Sequence, residues 1–215
     1  MEEIKCYFMI ILASILVIFI NIVKTYTNVF KAFTDAAFQV GSIITTTGYS
    51  TTDFDLWPGT SKTILVMLMF VGACAGSTGG GIKVSRFLIM FKTVVKELRS
   101  YIHPKSIQKI KMDDKPVPHE VVRSVNVYGI TFITIFAASI FLLSLDGKDL
   151  ITNFTAVATT LNNIGPGLNL VGPTRNFDLF SPFAKFVLMF DMLAGRLELF
   201  PLLILFHPTI WKEHK

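Results

Sequence analysis

Charge is scarce in this sequence. Of its 215 residues only 16% are Asp, Glu, Lys or Arg, against about 25% in soluble globular domains. That shortage, together with the apolar content, excludes a disordered protein and argues against an ordinary cytosolic enzyme. Cysteine is nearly absent, and Cys6 and Cys74 cannot build a disulfide framework. The histidines are few and scattered: His103, His119, His207 and His214 show no metal-ligand spacing. Ser77 lacks the His and Asp context of an activated nucleophile. These absences point away from an enzyme. What the chain has instead is grease: 52% hydrophobic residues, with 20 Phe against two Trp and five Tyr.

The apolar residues fall into long uncharged runs. They are Cys6–Val23 (18 residues), Ala36–Thr52 (17), Thr63–Ile82 (20), Ser124–Leu145 (22) and Leu150–Thr174 (25). A helix crossing hydrocarbon needs about 20 mostly apolar residues. The first and fourth runs therefore read as transmembrane helices. The first does not read as a cleaved signal, because Met1–Lys5 carries two Glu against one Lys and no small-residue cleavage site follows. The second and fifth runs are uncharged but rich in Thr, Ser, Asn and Gly. One ends in Thr45-Thr46-Thr47-Gly48-Tyr49-Ser50; the other contains Asn162-Asn163-Ile164-Gly165-Pro166-Gly167. Polar, Gly/Pro-broken backbone at membrane depth must be buried in protein or line a water-filled cavity. These two runs are expected to be re-entrant, a short helix followed by an extended return.

The net charge of +5 takes its meaning from placement. Ten of the 20 Lys and Arg lie between Lys83 and Arg123, with only Glu97, Asp113, Asp114 and Glu120 opposing them. The positive-inside tendency puts this 83–123 stretch, and the C-terminus with Lys212 and Lys215, in the cytoplasm. It serves as a topology determinant with a solvated face, and is compatible with docking a cytosolic partner. Nucleic-acid binding finds no accompanying aromatic-and-basic stripe.

Shifting the chain on itself by 117 residues superposes Gly48 on Gly165 and Thr45-Thr46-Thr47 on Asn162-Asn163-Ile164. Each unit then reads span, pore helix, polar loop with a central Gly, second span. A cation entering a membrane must exchange its water for other oxygens, and backbone carbonyls of an extended loop can supply them. Glycine allows the required backbone. Thr46, Thr47, Gly48 and Tyr49, with Asn163, Ile164, Gly165 and Pro166, are thus the expected cation filter, a potassium filter if the resemblance below holds. Backbone oxygens of Thr47, Gly48, Ile164 and Gly165 are its expected ion ligands. Thr47-Gly48-Tyr49 is the kind of element that potassium filters use; the alternative is a Gly-broken helix without a pore.

Gly72–Lys83 holds five glycines in twelve residues, inside an apolar segment from Lys62 to Leu98. An unbroken helix of that length would be about 55 Å long, more than one bilayer. The glycines are therefore expected to break it. A phosphate-binding Walker loop does not fit, since Ile82 separates Gly81 from Lys83. A helix-packing face of Gly72, Gly76 and Gly80, at spacings of four, remains an alternative. The same 117-residue shift puts Arg196 over position 79. A charge within a span is costly and seeks a partner or cavity. Arg196 is expected to hydrogen-bond freed carbonyls among Gly76, Ser77, Thr78, Gly79, Gly80 and Gly81, forming a gate. The alternative is an ion pair with a neighbour such as Asp191 or Glu198.

Four stretches together carry a resemblance: TTTGYSTTDFDLWP (Thr45–Pro58), GACAGSTGGGIKVSR (Gly72–Arg86), TLNNIGPGL (Thr160–Leu168) and GRLELFPLLILF (Gly195–Phe206). In this order they resemble the Trk/Ktr family of potassium uptake proteins, nearest its TrkH-type subunits. The resemblance implies an all-α membrane protein whose complete form has four channel-like repeats around one pore. This chain looks like the third and fourth, half of that pore. It divides into 1–100, a basic linker 101–117, and 118–215. Carried over, Gly48 and Gly165 would be two of four filter glycines, Gly72–Gly81 the intramembrane gating loop, and Arg196 the arginine that contacts it. The family further implies a plasma-membrane (inner-membrane) location among lipids, homodimers of complete subunits, and a cytosolic nucleotide-sensing ring as partner. Potassium would be substrate, and no cofactor is expected. The first two repeats are expected from a separate N-terminal half, a longer reading frame or a second copy. The alternative function is a non-conducting scaffold or regulatory half that docks partner chains.

Overall fold

The computed structural model describes residues 1–103 and 109–197. Among them seven helices account for nearly all regular structure. Helix α1 spans Glu2–Ile22 and α5 spans His119–Ser144. Both are long and apolar enough to cross a membrane. Helix α1 buries Ile18 and Ile22 but leaves Phe8, Met9, Leu12, Leu16 and Ile20 more than half exposed. An apolar stripe of that size facing outward suits hydrocarbon, not water.

Helices α2 (Val29–Ile44) and α6 (Leu150–Leu161) are the two uncharged polar runs. At 16 and 12 residues they are about 24 and 18 Å long, short of the ~30 Å hydrocarbon core. Each begins at a side-chain cap. The Asn28 side chain accepts from the Phe30 and Lys31 amides, and Asp149 accepts from the Thr152 amide. Each is followed by a residue in the left-handed region, Thr46 at φ 55° and Asn163 at φ 55°. Asn is among the few non-glycine residues that visit this conformation, whereas β-branched Thr46 is an outlier there, held by the backbone hydrogen bonds at the end of α2.

The long apolar segment is broken where the glycines predict. Helix α3 ends at Phe70 and α4 runs Val84–Ile102. Between them the chain doubles back: the Gly72 amide donates to the Ile82 carbonyl at 2.8 Å, and the Ile82 amide donates to the Phe70 carbonyl at 3.1 Å. Because 71–83 is not helical, Gly72, Gly76 and Gly80 present no helix face, and the helix-packing alternative falls. Lys111–Met112 pairs antiparallel with Lys115–Pro116 across Asp113 and Asp114, both at positive φ.

The last described helix, α7, runs Pro182–Arg196; Glu198, His207 and the C-terminal lysines lie outside the described residues. Its N-terminal approach repeats that of α3. Phe54–Leu56 and Phe177–Leu179 are both Phe-Asp-Leu turns, capped by Asp53 and Asn176. Asp55 pairs with Lys62 at 3.6 Å, and Asp178 with Lys185 at 2.7 Å. These matches lie 123 residues apart, not 117. Six additional residues enter after Gly165, in a stretch that holds a turn over Asn169–Val171. The constant shift therefore fails beyond the second polar loop, and Arg196 corresponds to position 73, not 79.

Three buried clusters hold the helices together. One joins α1, α2 and α3 around Ile18, Ile43, Phe54 and Leu65, and reaches Ala158, Ile164 and Leu168 of the second half. The second packs α6 against α7. The third sets Ile82 against Tyr128, Phe132, Leu161 and Ala194. A Phe seam crosses the middle, with Phe136 contacting Phe70 at 5.3 Å and Phe154 at 5.1 Å between ring centres. These buried side chains fix how the two polar loops meet.

Candidate functional site: two polar loops over a glycine segment

The loops after α2 and α6 have the same backbone. In the first, the amides of Thr45, Thr46 and Thr47 donate to Gly41, Ile43 and Ser42 at 3.1, 3.0 and 2.8 Å. In the second, the amides of Asn162, Asn163 and Ile164 donate to Ala158, Thr160 and Thr159 at 3.2, 3.0 and 2.8 Å. Every partner is displaced by 117 residues. Gly48 (φ 80°) and Gly165 (φ 116°) also correspond, both in the region that favours glycine.

The two loops touch. A Cβ at Gly48 would overlap the Ile164 carbonyl oxygen and lie 3.6 Å from Pro166 Cδ. Gly165 has open space around it. The first loop is tied internally: the Ser42 hydroxyl donates to the Tyr49 carbonyl at 2.5 Å, and the Thr45 and Thr47 hydroxyls lie 2.8 Å apart. Asp35 accepts from the Thr51 hydroxyl at 2.9 Å. Tyr49 itself is exposed. In the second loop the Thr155 hydroxyl accepts from the Leu168 amide at 3.1 Å, and Asn163 Nδ2 donates to the Met192 carbonyl of α7 at 3.1 Å. At the head of α6, Asp149 accepts from the Thr152 hydroxyl at 2.6 Å, and this bond holds its carboxyl below the usual carboxylate range.

The glycine segment packs directly against both loops. The Gly80 amide donates to the Thr46 hydroxyl at 3.3 Å. A Cβ at Gly80 would overlap the Asn162 carbonyl, and one at Gly81 would lie 3.5 Å from Asn162 Oδ1. Gly80 thus fits only because it lacks a side chain; Gly81 sits at φ 76° with the Gly72 nitrogen 3.0 Å from where a Cβ would be, and a Cβ at Gly79 would make only ordinary contacts. Arg196 reaches the same segment: its Nη1 donates to the Thr78 carbonyl at 2.8 Å. The approach of α7 depends on Gly195, where a Cβ would overlap the Leu161 carbonyl. Asp191, the neighbour offered as an ion-pair partner, instead accepts from the Ser139 hydroxyl at 2.7 Å. The loop tip, containing Gly76 at φ 84°, Ser77 and Thr78, is exposed, and α7 reaches it through the Arg196 side chain.

Two further residues secure this segment that sequence reasoning did not single out. Lys83 Nζ donates to the Ser77 carbonyl and hydroxyl at 2.9 and 3.0 Å and to the Gly79 carbonyl at 2.5 Å. Glu3, on the first turn of α1, accepts from the Ala75 amide at 2.7 Å and the Ser85 amide at 3.2 Å. Lys83 carried a signal, being the first charge after five glycines. Glu3 carried none, because its partners lie more than 70 residues away.

The chain is similar to known proteins over nearly its whole length. The TrkH family, described as cation transport proteins, matches residues 6–213. The Trk system potassium uptake protein TrkH of Vibrio parahaemolyticus is 40% identical over 213 residues, covering 98% of this chain and 44% of that protein. TrkH of Escherichia coli K12 is 40% identical over 178 residues, 83% of this chain and 36% of that protein. The crystal structure of the potassium transporter TrkH from Vibrio parahaemolyticus superposes with a TM-score of 0.89, covering 97% of this chain and 45% of that one. The chain spans less than half the length of these relatives. By sequence over nearly its whole length and by fold, it belongs to the TrkH family of membrane cation transporters, and not to an enzyme family.

Proposed function

We propose that the chain forms half of a potassium-conducting pore, as two channel-like repeats over 1–100 and 118–212. In this reading potassium exchanges hydration water for backbone oxygens of Thr47, Gly48, Ile164 and Gly165. Thr46, Tyr49, Asn163 and Pro166 complete the filter. The segment Gly76–Gly81, braced by Lys83 and touched by Arg196, limits flow just past the filter. The basic stretch 83–123 faces the cytoplasm, where a nucleotide-sensing ring docks. The complete pore takes two more repeats, from a longer reading frame, a separate N-terminal half or a second copy, and complete subunits pair as homodimers.

The observation that carries this reading is the repeated backbone. Two loops with superposable hydrogen bonds and matching positive-φ glycines meet over one side-chain-free segment. A helix broken merely by glycine has no reason to repeat that pattern 117 residues later. The relatives named as potassium uptake proteins support the choice of ion.

Rubidium uptake tests the proposal in cells lacking their own potassium uptake. The chain is expressed alone and with a complementary N-terminal half, to find an assembly that conducts. In that assembly, Gly48→Asp or Gly165→Asp is expected to abolish flux, since each puts a carboxylate into a backbone-lined path. Unchanged flux would remove these loops from the pore. Absence of flux in every assembly would favour the scaffold reading, in which the chain only docks partners.

A further inference from the structure

A cleft of about 760 Å³ lies between α4, the basic linker and the start of α5. Lys96, Lys109 and Arg123 line it, with Glu97 as the single carboxylate. None of these three cations makes an ion pair or hydrogen bond among the described residues. Three unpaired cations around one concave space have an excess positive potential that a small anion would relieve. The volume is within the ~300–1,000 Å³ range of small-molecule sites.

The wall of the cleft says which anion. Arg123, Val127 and Ile130 lie at spacings of four and three, on one face of α5. Val127 is 42% exposed, Ile130 69% and Ile133 67%. The cations thus stand at the end of an apolar stripe on a helix that is long enough to span the bilayer. A free phosphate would use the cations and leave the stripe bare. A phospholipid uses both: its headgroup phosphate meets Lys96, Lys109 and Arg123, and its acyl chain follows Val127 and Ile130 toward the membrane core. Basic clefts beside spanning helices are suited to anionic headgroups, and long cationic side chains at helix ends reach the interface readily.

We propose that this cleft binds one anionic phospholipid, through its headgroup phosphate on Lys96, Lys109 and Arg123 and an acyl chain along Val127 and Ile130. The site is remote from the polar loops, and the proposal stands whether or not the chain conducts.

Native mass spectrometry tests it on the chain in the assembly in which it purifies. The assembly is placed in nanodiscs of phosphatidylcholine containing either phosphatidylglycerol or cardiolipin, then released. The expected result is one retained anionic lipid per chain, in preference to phosphatidylcholine. Neutralising each cation should weaken that retention by about fivefold, so a Lys96→Gln, Lys109→Gln, Arg123→Gln triple variant should lose the preference. Lys62→Gln, on a different surface, should keep it, which separates a local site from general loss of charge. Equal retention of both lipid classes, or an unchanged triple variant, overturns the proposal. So does displacement of the lipid by millimolar inorganic phosphate, which would make the cleft a phosphate site. A photoreactive group at Val127 should label lipid; labelling a protein chain instead would assign the cleft to a protein partner.

Discussion

At the scale of single residues, the two loop glycines are not equivalent. Gly48 combines φ 80° with a backbone carbonyl where its Cβ would sit. Gly165 has φ 116° and free space. Backbone strain of this kind costs about 1–3 kcal/mol, but only Gly48 adds an overlap that neither loop can yield without moving its partner. Gly48→Ala is therefore expected to lower rubidium flux more than Gly165→Ala in the same conducting assembly. The reverse order would mean that the loops do not bear on each other in the working protein. The left-handed pair Thr46 and Asn163 is a related detail. Neither is glycine, so composition gave no sign that they would share φ 55°; only the hydrogen-bonded ends of α2 and α6 impose it.

Among elements, the glycine segment combines several weak restraints. Thr46, Glu3, Lys83 and Arg196 each hold a different part of it. The Arg196 contact is exposed, so its net worth is about 1 kcal/mol. Arg196→Ala is then expected to raise flux roughly fivefold, by weakening the closed arrangement; unchanged flux in a conducting assembly removes Arg196 from the gate. The break at Phe70 was legible in sequence, because five clustered glycines cannot continue a helix against their entropy cost. The register of α7 was not. A uniform shift cannot register the six residues inserted after Gly165, and those residues look like any other Asn/Gly/Pro loop. The contact between Arg196 and Thr78 was expected from a register six residues off. It exists because the segment folds back on itself and brings position 78 near α7.

For the whole molecule, the fold class and the spans were legible because they depend on composition over long windows. Uncharged, mostly apolar runs of 18 and 22 residues have the length of a membrane crossing. The meeting of the halves was not legible, since it rests on partners such as Ala158 against α1–α3 and Phe136 against Phe70, which no local pattern encodes. One exposed apolar surface lies on a helix that does not cross the membrane. Helix α2, too short to span, exposes Val29, Phe30, Phe33 and Phe38. Apolar side chains there can be covered by lipid or by a protein neighbour, and a further pair of repeats would supply the latter. Native mass measurement in mild detergent is expected to find the chain in an assembly larger than one copy, with or without a complementary half. A strict monomer would contradict this.

The inserted residues also reach across between the halves. The Asn169 amide donates to Asp55 at 3.0 Å, and the Thr174 hydroxyl donates to Asp53 at 3.2 Å. The second half thus grips the turn ahead of α3, and among the described residues the corresponding turn, at Asp178, receives no such grip from the first, whose loop is six residues shorter. The contact has a direction. In a ring of related units it acts as a key cut for one lock, so it dictates which neighbour stands on which side, and an interchange of the two halves would leave the key with nothing to enter.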